Sequence, residues 1–324
     1  MRLRYFPSCS AYETIYGAAG DALHCAVTRV SSASVFGYHP SPLQMDSTRN
    51  RENEMQRRII IKALSAVVAG AAIVASFGAH ADDKAIKVGT ISGPDAQIWE
   101  VVTKVAKREG LNVKVVEFND YVQPNAALDA GDLDANSFQH QPYLDSQIKQ
   151  RGYKIVSAGL TYISPLGIYS KKLKSVKDLQ QGAKVAVPND PSNENRALLL
   201  LQAQGVIKLK AGAGTNGNNA TALDVAENPK KIKLVELDAA QLPRSLADVD
   251  AAAINTNFAL AAGLQPTKDA IALEDVHSPY ANLIAVRTQD KEKPWVKKLV
   301  AAYQSEDVRQ FIKTQFKGSV VPSF

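Results

Sequence analysis

From residue 86 onward the apolar positions follow two alternating spacings. Ile86–Ile91 and Val113–Phe118 are short β-branched runs bounded by Gly, Asn or Asp, which predicts strands. Between them, Ala96–Glu109 places its apolar residues three and four apart, which predicts a helix. Pro124–Ala130 continues as a helix and Asp134–Phe138 as a strand. The same order restarts at Lys184: Lys184–Pro188 reads as a strand ending in a Pro/Asn/Asp loop, and Arg196–Gln204 as a Leu-rich helix. Lys233-Leu-Val-Glu-Leu237 then echoes Lys114-Val-Val-Glu-Phe118, Pro243 and Leu246 follow as Pro124 and Leu128 do, and Asp248-Val-Asp-Ala251 echoes Asp132-Leu-Asp-Ala135.

Strands alternating with helices, written twice, predict an α/β fold of two similar lobes, each a mostly parallel sheet flanked by helices, with a ligand cleft between them. Tyr280–Val286 reads as a further strand, and helical patterns around Trp295–Tyr303 and Ser305–Phe316 close the chain. A return to the first lobe is expected, so that 82–165 and 276–324 form lobe 1 and 166–275 lobe 2. The Gly/Asn-rich stretch 211–219 reads as a surface loop of lobe 2. In open α/β sheets ligands sit beyond the carboxyl ends of the strands, which here are residues 136–140 in the first copy and 255–257 in the second.

From Met55 the pattern changes. Met-Gln-Arg-Arg precedes an apolar run from Ile59 to Phe77 and then Ala79-His80-Ala81. A basic start, an apolar stretch and a small-residue triplet predict a secretory signal peptide over 55–81, cleaved before Asp82, and hence a periplasmic protein. The alternative is a membrane-spanning anchor, since the run approaches spanning length; its Ala and Gly content and the cleavage triplet favour removal. Residues 1–54 are read as an over-long start or a disordered segment rather than a domain. Cys9, Cys25, Met1, Met45 and Met55 account for every sulfur-bearing residue, so the mature chain would contain no thiol, disulfide or thioether.

The formal charge of +6 and pI of about 9.1 raise the question of nucleic acid. Eight of the 38 basic and five of the 32 acidic residues fall within 1–81, leaving a net +3 for the rest. The basic runs at 171–174 and 230–233 have no interleaved aromatics, so they read as solvated faces and no nucleic-acid partner is expected.

Arg196 follows Pro188-Asn-Asp-Pro-Ser-Asn-Glu-Asn195, whose capping residues place it near a helix N-terminus, where free N–H groups and a guanidinium fork would suit a carboxylate. A surface pair with Glu194 or a loop acid is the alternative. Phe138, His140, Tyr143 and Tyr121 concentrate aromatic rings that could wall an apolar slot or simply pack the core. Asn255 and Asn282 stand at lobe edges, where an amide can accept from an ammonium and donate to a carboxylate; turn formation is the alternative. His140 and His277 lack the spacing of a metal site, and no nucleophile elbow, P-loop or dinucleotide fingerprint is present. The pairs Asp132/Asp134 and Asp248/Asp250 fit turns and caps better than acid–base work. No catalytic residue, metal or cofactor is expected.

Five motifs in order carry a resemblance: Phe118-Asn-Asp-Tyr-Val-Gln-Pro-Asn125, Asp134-Ala-Asn-Ser-Phe-Gln-His-Gln-Pro-Tyr-Leu-Asp145, Val185-Ala-Val-Pro-Asn-Asp-Pro-Ser-Asn193, Gln241-Leu-Pro-Arg244 and Ser278-Pro-Tyr-Ala-Asn282. Through them the chain, from about Ile86 on, resembles the methionine-binding NlpA/MetQ lipoproteins of bacterial ABC importers. The resemblance implies a type II periplasmic-binding-protein fold and a non-enzymatic role: capture of methionine, L-methionine first among candidates, and delivery to a permease with its cytoplasmic ATPase. Another amino acid, a short dipeptide, or less directly a periplasmic enzyme are the alternatives; a sensor domain would need a DNA-binding module in place of the signal peptide. The resemblance further implies a thioether held among Tyr121, Phe138, His140 and Tyr143, a carboxylate gripped by Arg196, and hydrogen bonds from Asn193, Asn255 and Asn282. Two departures stand out. Asp82, rather than a lipidated Cys, follows the cleavage triplet, which implies contact with the membrane only through the importer. Glu194 and Asn195 are bulkier and more polar than the apolar-Gly pair associated with the family, which bears on the ligand's identity.

Overall fold

The structure, a computed structural model, describes residues 85–215 and 217–324. The expected signal peptide and leader lie outside the described residues. Two five-stranded sheets organise the chain. The first uses β1 (Ile86–Ile91), β2 (Val113–Phe118), β3 (Ala135–His140), β4 (Ile155–Leu160) and β13 (Asn282–Arg287) in the order β2-β1-β3-β13-β4. β2, β1 and β3 run parallel, and β13 runs antiparallel to both β3 and β4. The second uses β6 (Gly167–Tyr169), β7 (Lys184–Pro188), β10 (Lys233–Leu237), β11 (Ala251–Ile254) and β12 (Ala272–Leu273) in the order β10-β7-β11-β6-β12. Its first three strands are parallel and β6 is antiparallel to β11. The sequence echo is thus a structural one: β10 stands to β7 as β2 stands to β1.

The repeated Asp-x-Asp-Ala explains how each central strand is started. The Asp134 carboxylate accepts from the Lys87 N–H at 2.9 Å while the Asp134 N–H donates to the Lys87 carbonyl at 2.8 Å. Asp250 does the same with Lys184, at 2.8 and 2.9 Å. A side chain and a backbone group together satisfy the first strand's end, as expected of turn and cap aspartates.

Helix α1 (Pro94–Arg108) buries Ile98, Trp99, Val102, Val105 and Ala106, one apolar stripe, against the first sheet. It packs with α8 (Pro294–Tyr303) and α9 (Glu306–Phe316), the helices that the chain's return to this lobe supplies, and Trp99 meets Tyr303 edge-on at 5.3 Å. The second lobe's core, centred on Val185, Val187, Leu198, Leu201 and Ala253, is separate. Helices α2 (Gln123–Ala130) and α3 (Gln141–Arg151) flank β3, and α4 (Pro191–Ala203) follows β7. A third cluster, with Ile91, Phe138 and Tyr143 from one lobe and Tyr169, Ile254 and Phe258 from the other, lies where the two meet.

Residues 161–166 and 274–281 are the two stretches that run between the sheets. The first holds β5 (Tyr162–Ile163), which pairs with β14 (Val321–Pro322), so the C-terminal end braces a crossing. Tyr162 also hydrogen-bonds to Asp95, in the first turn of α1. Burial pushes the Asp95 carboxyl up to about 7, and its second oxygen has no partner. A carboxyl whose folded pKa lies above its unfolded value contributes stability below the unfolded pKa and loses it as pH rises through the folded one. Between pH 4 and pH 8 the wild-type chain should therefore lose stability relative to Asp95→Asn by a few kcal/mol, at about 1.4 kcal/mol for each tenfold difference in proton affinity between the two states; urea unfolding of both chains at the two pH values checks this, and parallel profiles would refute it.

Candidate ligand-binding site

Several strands of both sheets end toward one place. β3 delivers Gln139 and His140, β11 is followed by Asn255 and Asn257, and β7 leads through Asp190 into α4. All eight predicted residues, Tyr121, Phe138, His140, Tyr143, Asn193, Arg196, Asn255 and Asn282, line a single small cavity, together with Gln139, Ser164 and Asn257.

One wall is aromatic. The Tyr121, Phe138 and Tyr143 rings stand 5.8 to 6.0 Å apart, tilted or edge-on, with Phe258 behind Tyr121 at 4.9 Å. The Tyr143 hydroxyl donates to the Tyr121 backbone carbonyl at 2.9 Å, which fixes the Tyr143 ring. Burial and the nearby Asp95 push the Tyr121 phenol well above its usual range, so it stays protonated and donates to Asn257 Oδ1 at 2.6 Å, across the lobes.

The opposite wall is polar, and its orientation is fixed from Asp190. This N-cap of α4 accepts from the Asn193 N–H at 2.9 Å, and its carboxylate oxygens accept from Asn193 Nδ2 at 3.1 and 2.9 Å. Asn193 Oδ1 must then face the other way, where it meets His140 Nε2 at 3.2 Å and accepts from Asn255 Nδ2 at 2.9 Å. His140 Nδ1 accepts from the Tyr143 N–H at 3.2 Å, capping α3. The imidazole is therefore the neutral Nε2–H form, donating across the lobes; burial and then the positive Arg196 push its pKa down to about 3.

Arg196 sits one turn inside α4, because Pro191 at N1 and the Asp190 cap start the helix five residues earlier than the predicted Arg196–Gln204. The expected anion site at free helix-terminal N–H groups is not formed: the Asn193 and Glu194 N–H groups bond to Asp190. What reaches the cavity is the guanidinium. Its Nε donates to both Glu274 oxygens at 2.8 Å, Nη2 donates to Glu274 and to the Ser164 carbonyl at 2.8 Å, and Cζ lies 4.6 Å over the Tyr280 ring. The partner acid is Glu274, not Glu194. Glu194 accepts from the Ala222 N–H at 2.8 Å and Asn195 from the Ala220 N–H at 2.9 Å, so both tether the 211–224 stretch to the outer side of α4, and neither lines the cavity.

Asn282 donates to the Phe138 carbonyl at 3.2 Å, beside the aromatic wall. Asn255 Oδ1 and Asn257 Nδ2 are buried without a protein partner, one an acceptor and one a donor at the same cavity. Gln139, Asn257 and Ser164 were not singled out from sequence. The first two lie in the strand-end runs that were; Ser164, which offers its carbonyl to Arg196, lies on a crossing and carried no signal. Gln139 is held by a reciprocal amide pair with Asn125, each bond 2.7 Å. Among the described residues no cluster of three or more His, Cys, Asp or Glu is placed to hold a metal, and no helix is long and apolar enough to cross a membrane.

Residues 86–324 match the model of the NlpA lipoprotein family. The D-methionine-binding lipoprotein MetQ of Escherichia coli K12 is 52% identical over 262 residues, covering 80% of this chain and 96% of its own. A solved nutrient-binding protein from Burkholderia cenocepacia bound to methionine is 81% identical, with a TM-score of 0.73, covering 74% of this chain and all of its own. The solved methionine-binding protein MetQ is 53% identical, with a TM-score of 0.72 over 75% of this chain and 99% of its own. The names of the family and of the E. coli relative indicate lipidation, contrary to the lipid-free N-terminus expected from Asp82; that segment lies outside the described residues. With the family model spanning both lobes and a relative this similar along most of its own length, the chain belongs to the NlpA lipoprotein family of substrate-binding proteins.

Proposed function

We propose that this protein captures methionine in the periplasm and hands it to an ABC importer's permease and its cytoplasmic ATPase. The observation that carries the reading is one small cavity with an aromatic wall facing a guanidinium and a set of amides. An apolar side chain with an α-carboxylate and an α-ammonium matches that division, and the 81% identical protein was solved with methionine. In this reading the thioether packs against Tyr121, Phe138 and Tyr143, where burying a side chain of this size contributes roughly 1.5–3 kcal/mol. Arg196 takes the carboxylate, Asn193, Asn255 and Asn282 serve the charged ends, and Asn257 joins them. His140, with both ring nitrogens engaged, acts as a neutral wall and a tie between lobes.

Lobe 1 is assigned to 82–165 and 276–324 and lobe 2 to 166–275, so closure is a hinge at the two crossings. The His140–Asn193 and Tyr121–Asn257 bonds would form on closing and part on opening. The relatives' names point to D-methionine, whereas the sequence reading put L-methionine first; both enantiomers therefore belong in the test.

Calorimetry on the chain from Asp82 to Phe324, refolded free of carried-over ligand, should show selective binding of methionine over other amino acids, with a matching rise in melting temperature. Binding of a different amino acid alone would keep the transport role and overturn the ligand. Arg196→Lys, which keeps the charge and loses the fork, should weaken binding roughly tenfold, and Arg196→Ala roughly a hundredfold or more. Because the imidazole is already neutral, affinity should vary less than about twofold from pH 5 to 8 and fall only as pH nears the value at which His140 protonates; a steep loss near pH 6.5 would place a cationic His140 in the site.

A further inference from the structure

Among the described residues Arg196 is the one formally charged side chain lining the cavity, and it is paired with Glu274. Its side chain is 3% exposed, and Glu274 behind it is 11% exposed. Glu274 is held by the backbone of one residue on the other crossing: its N–H donates to the Leu166 carbonyl at 2.9 Å, and its Oε2 accepts from the Leu166 N–H at 3.1 Å. Among the described residues, the hydrogen bonds of Arg196 all run from Nε and Nη2, so the Nη1 edge remains for the cavity. Among the described residues no carboxylate lines the cavity, Asp190 lying behind Asn193 with both oxygens accepting from that residue, and the polar atoms left there are neutral amides. An ammonium entering this space would meet an unscreened Arg196 as a like charge if Glu274 were neutral.

We infer that Glu274 determines the charge class of the ligand: by cancelling the Arg196 charge from behind while leaving the Nη1 edge to bind, it makes the site select a net-neutral zwitterion over an anion with the same side chain. The inference rests on the amino-acid-binding reading above and adds a specificity residue to it. Glu274 acts through Arg196 and does not line the cavity, so it is a positioning and charge-balancing residue.

The test compares methionine with its α-oxo acid analogue, which keeps the thioether and carboxylate and replaces the ammonium by a carbonyl. Calorimetry is run on the wild type, Glu274→Gln and Glu274→Asp, each checked for a cooperative thermal transition. The ratio of oxo-acid to methionine dissociation constants should fall at least about tenfold in Glu274→Gln, which keeps the shape and leaves Arg196 uncompensated. In Glu274→Asp the ratio should stay near the wild-type value even where both affinities drop, because the charge is kept. If Glu274→Gln weakens both ligands by one common factor, or if Glu274→Asp shifts the ratio as far as Glu274→Gln does, Glu274 merely braces the arginine and the inference is overturned. A wild-type chain that binds neither compound would overturn the functional reading and this inference with it, an outcome separate from a variant that binds both without changing preference.

Discussion

A carboxylate accepts hydrogen bonds and donates none, and the polar half of the cavity is ordered by that rule applied at Asp190. Its oxygens claim the Asn193 amide nitrogen, so the amide oxygen must point toward His140 and Asn255. That choice settles the imidazole tautomer, and the tautomer in turn lets His140 Nδ1 cap α3. One capping residue thereby sets groups on three elements and in two lobes. Half-satisfied buried networks are costly, and among the described residues Asn255 Oδ1 and Asn257 Nδ2 are the cavity-lining members of this network without a partner.

The buried Arg196–Glu274 pair illustrates a different economy. Two charges removed from water cost several kcal/mol each, and their attraction recovers this only with good geometry and further hydrogen bonds. Here the geometry is forked, Ser164 takes another guanidinium proton, and Leu166 anchors the carboxylate. Ser164 lies on one crossing and Glu274 on the other. Arg196 is therefore bonded to both segments that run between the two sheets.

Much of this was legible in the chain because the same physics was written twice. β1, β2, β7 and β10 carry strong β-branched patterns, and their predicted limits match the structure. β3 reads less clearly: Asn136, Ser137, Gln139 and His140 are polar yet buried, and a hydrophobicity pattern alone places the strand's end two residues short of His140. α3 left no apolar stripe to read, and β6 and β12 are too short to announce themselves. Aromatic and amide residues at strand ends pointed to the cavity. The Arg196–Glu274 pairing, 78 positions apart, did not, since nothing local records it. Glu194 and Asn195 could not be placed for a related reason: adjacent to Arg196 in sequence, they project from another side of α4 and bond to the 220–222 stretch.

The apolar wall is built from phenyl, phenol and imidazole rings, and beyond Met55 the sequence has neither methionine nor cysteine. Peroxides and hypohalous acids attack thioethers and thiols first, converting methionine to a polar sulfoxide and cysteine to sulfenic and higher acids. The cavity and both cores offer them no such atom. Beyond Met55 an oxidant finds no thioether in the protein, so its cavity wall and cores keep their apolar character under conditions that convert a free thioether to its sulfoxide.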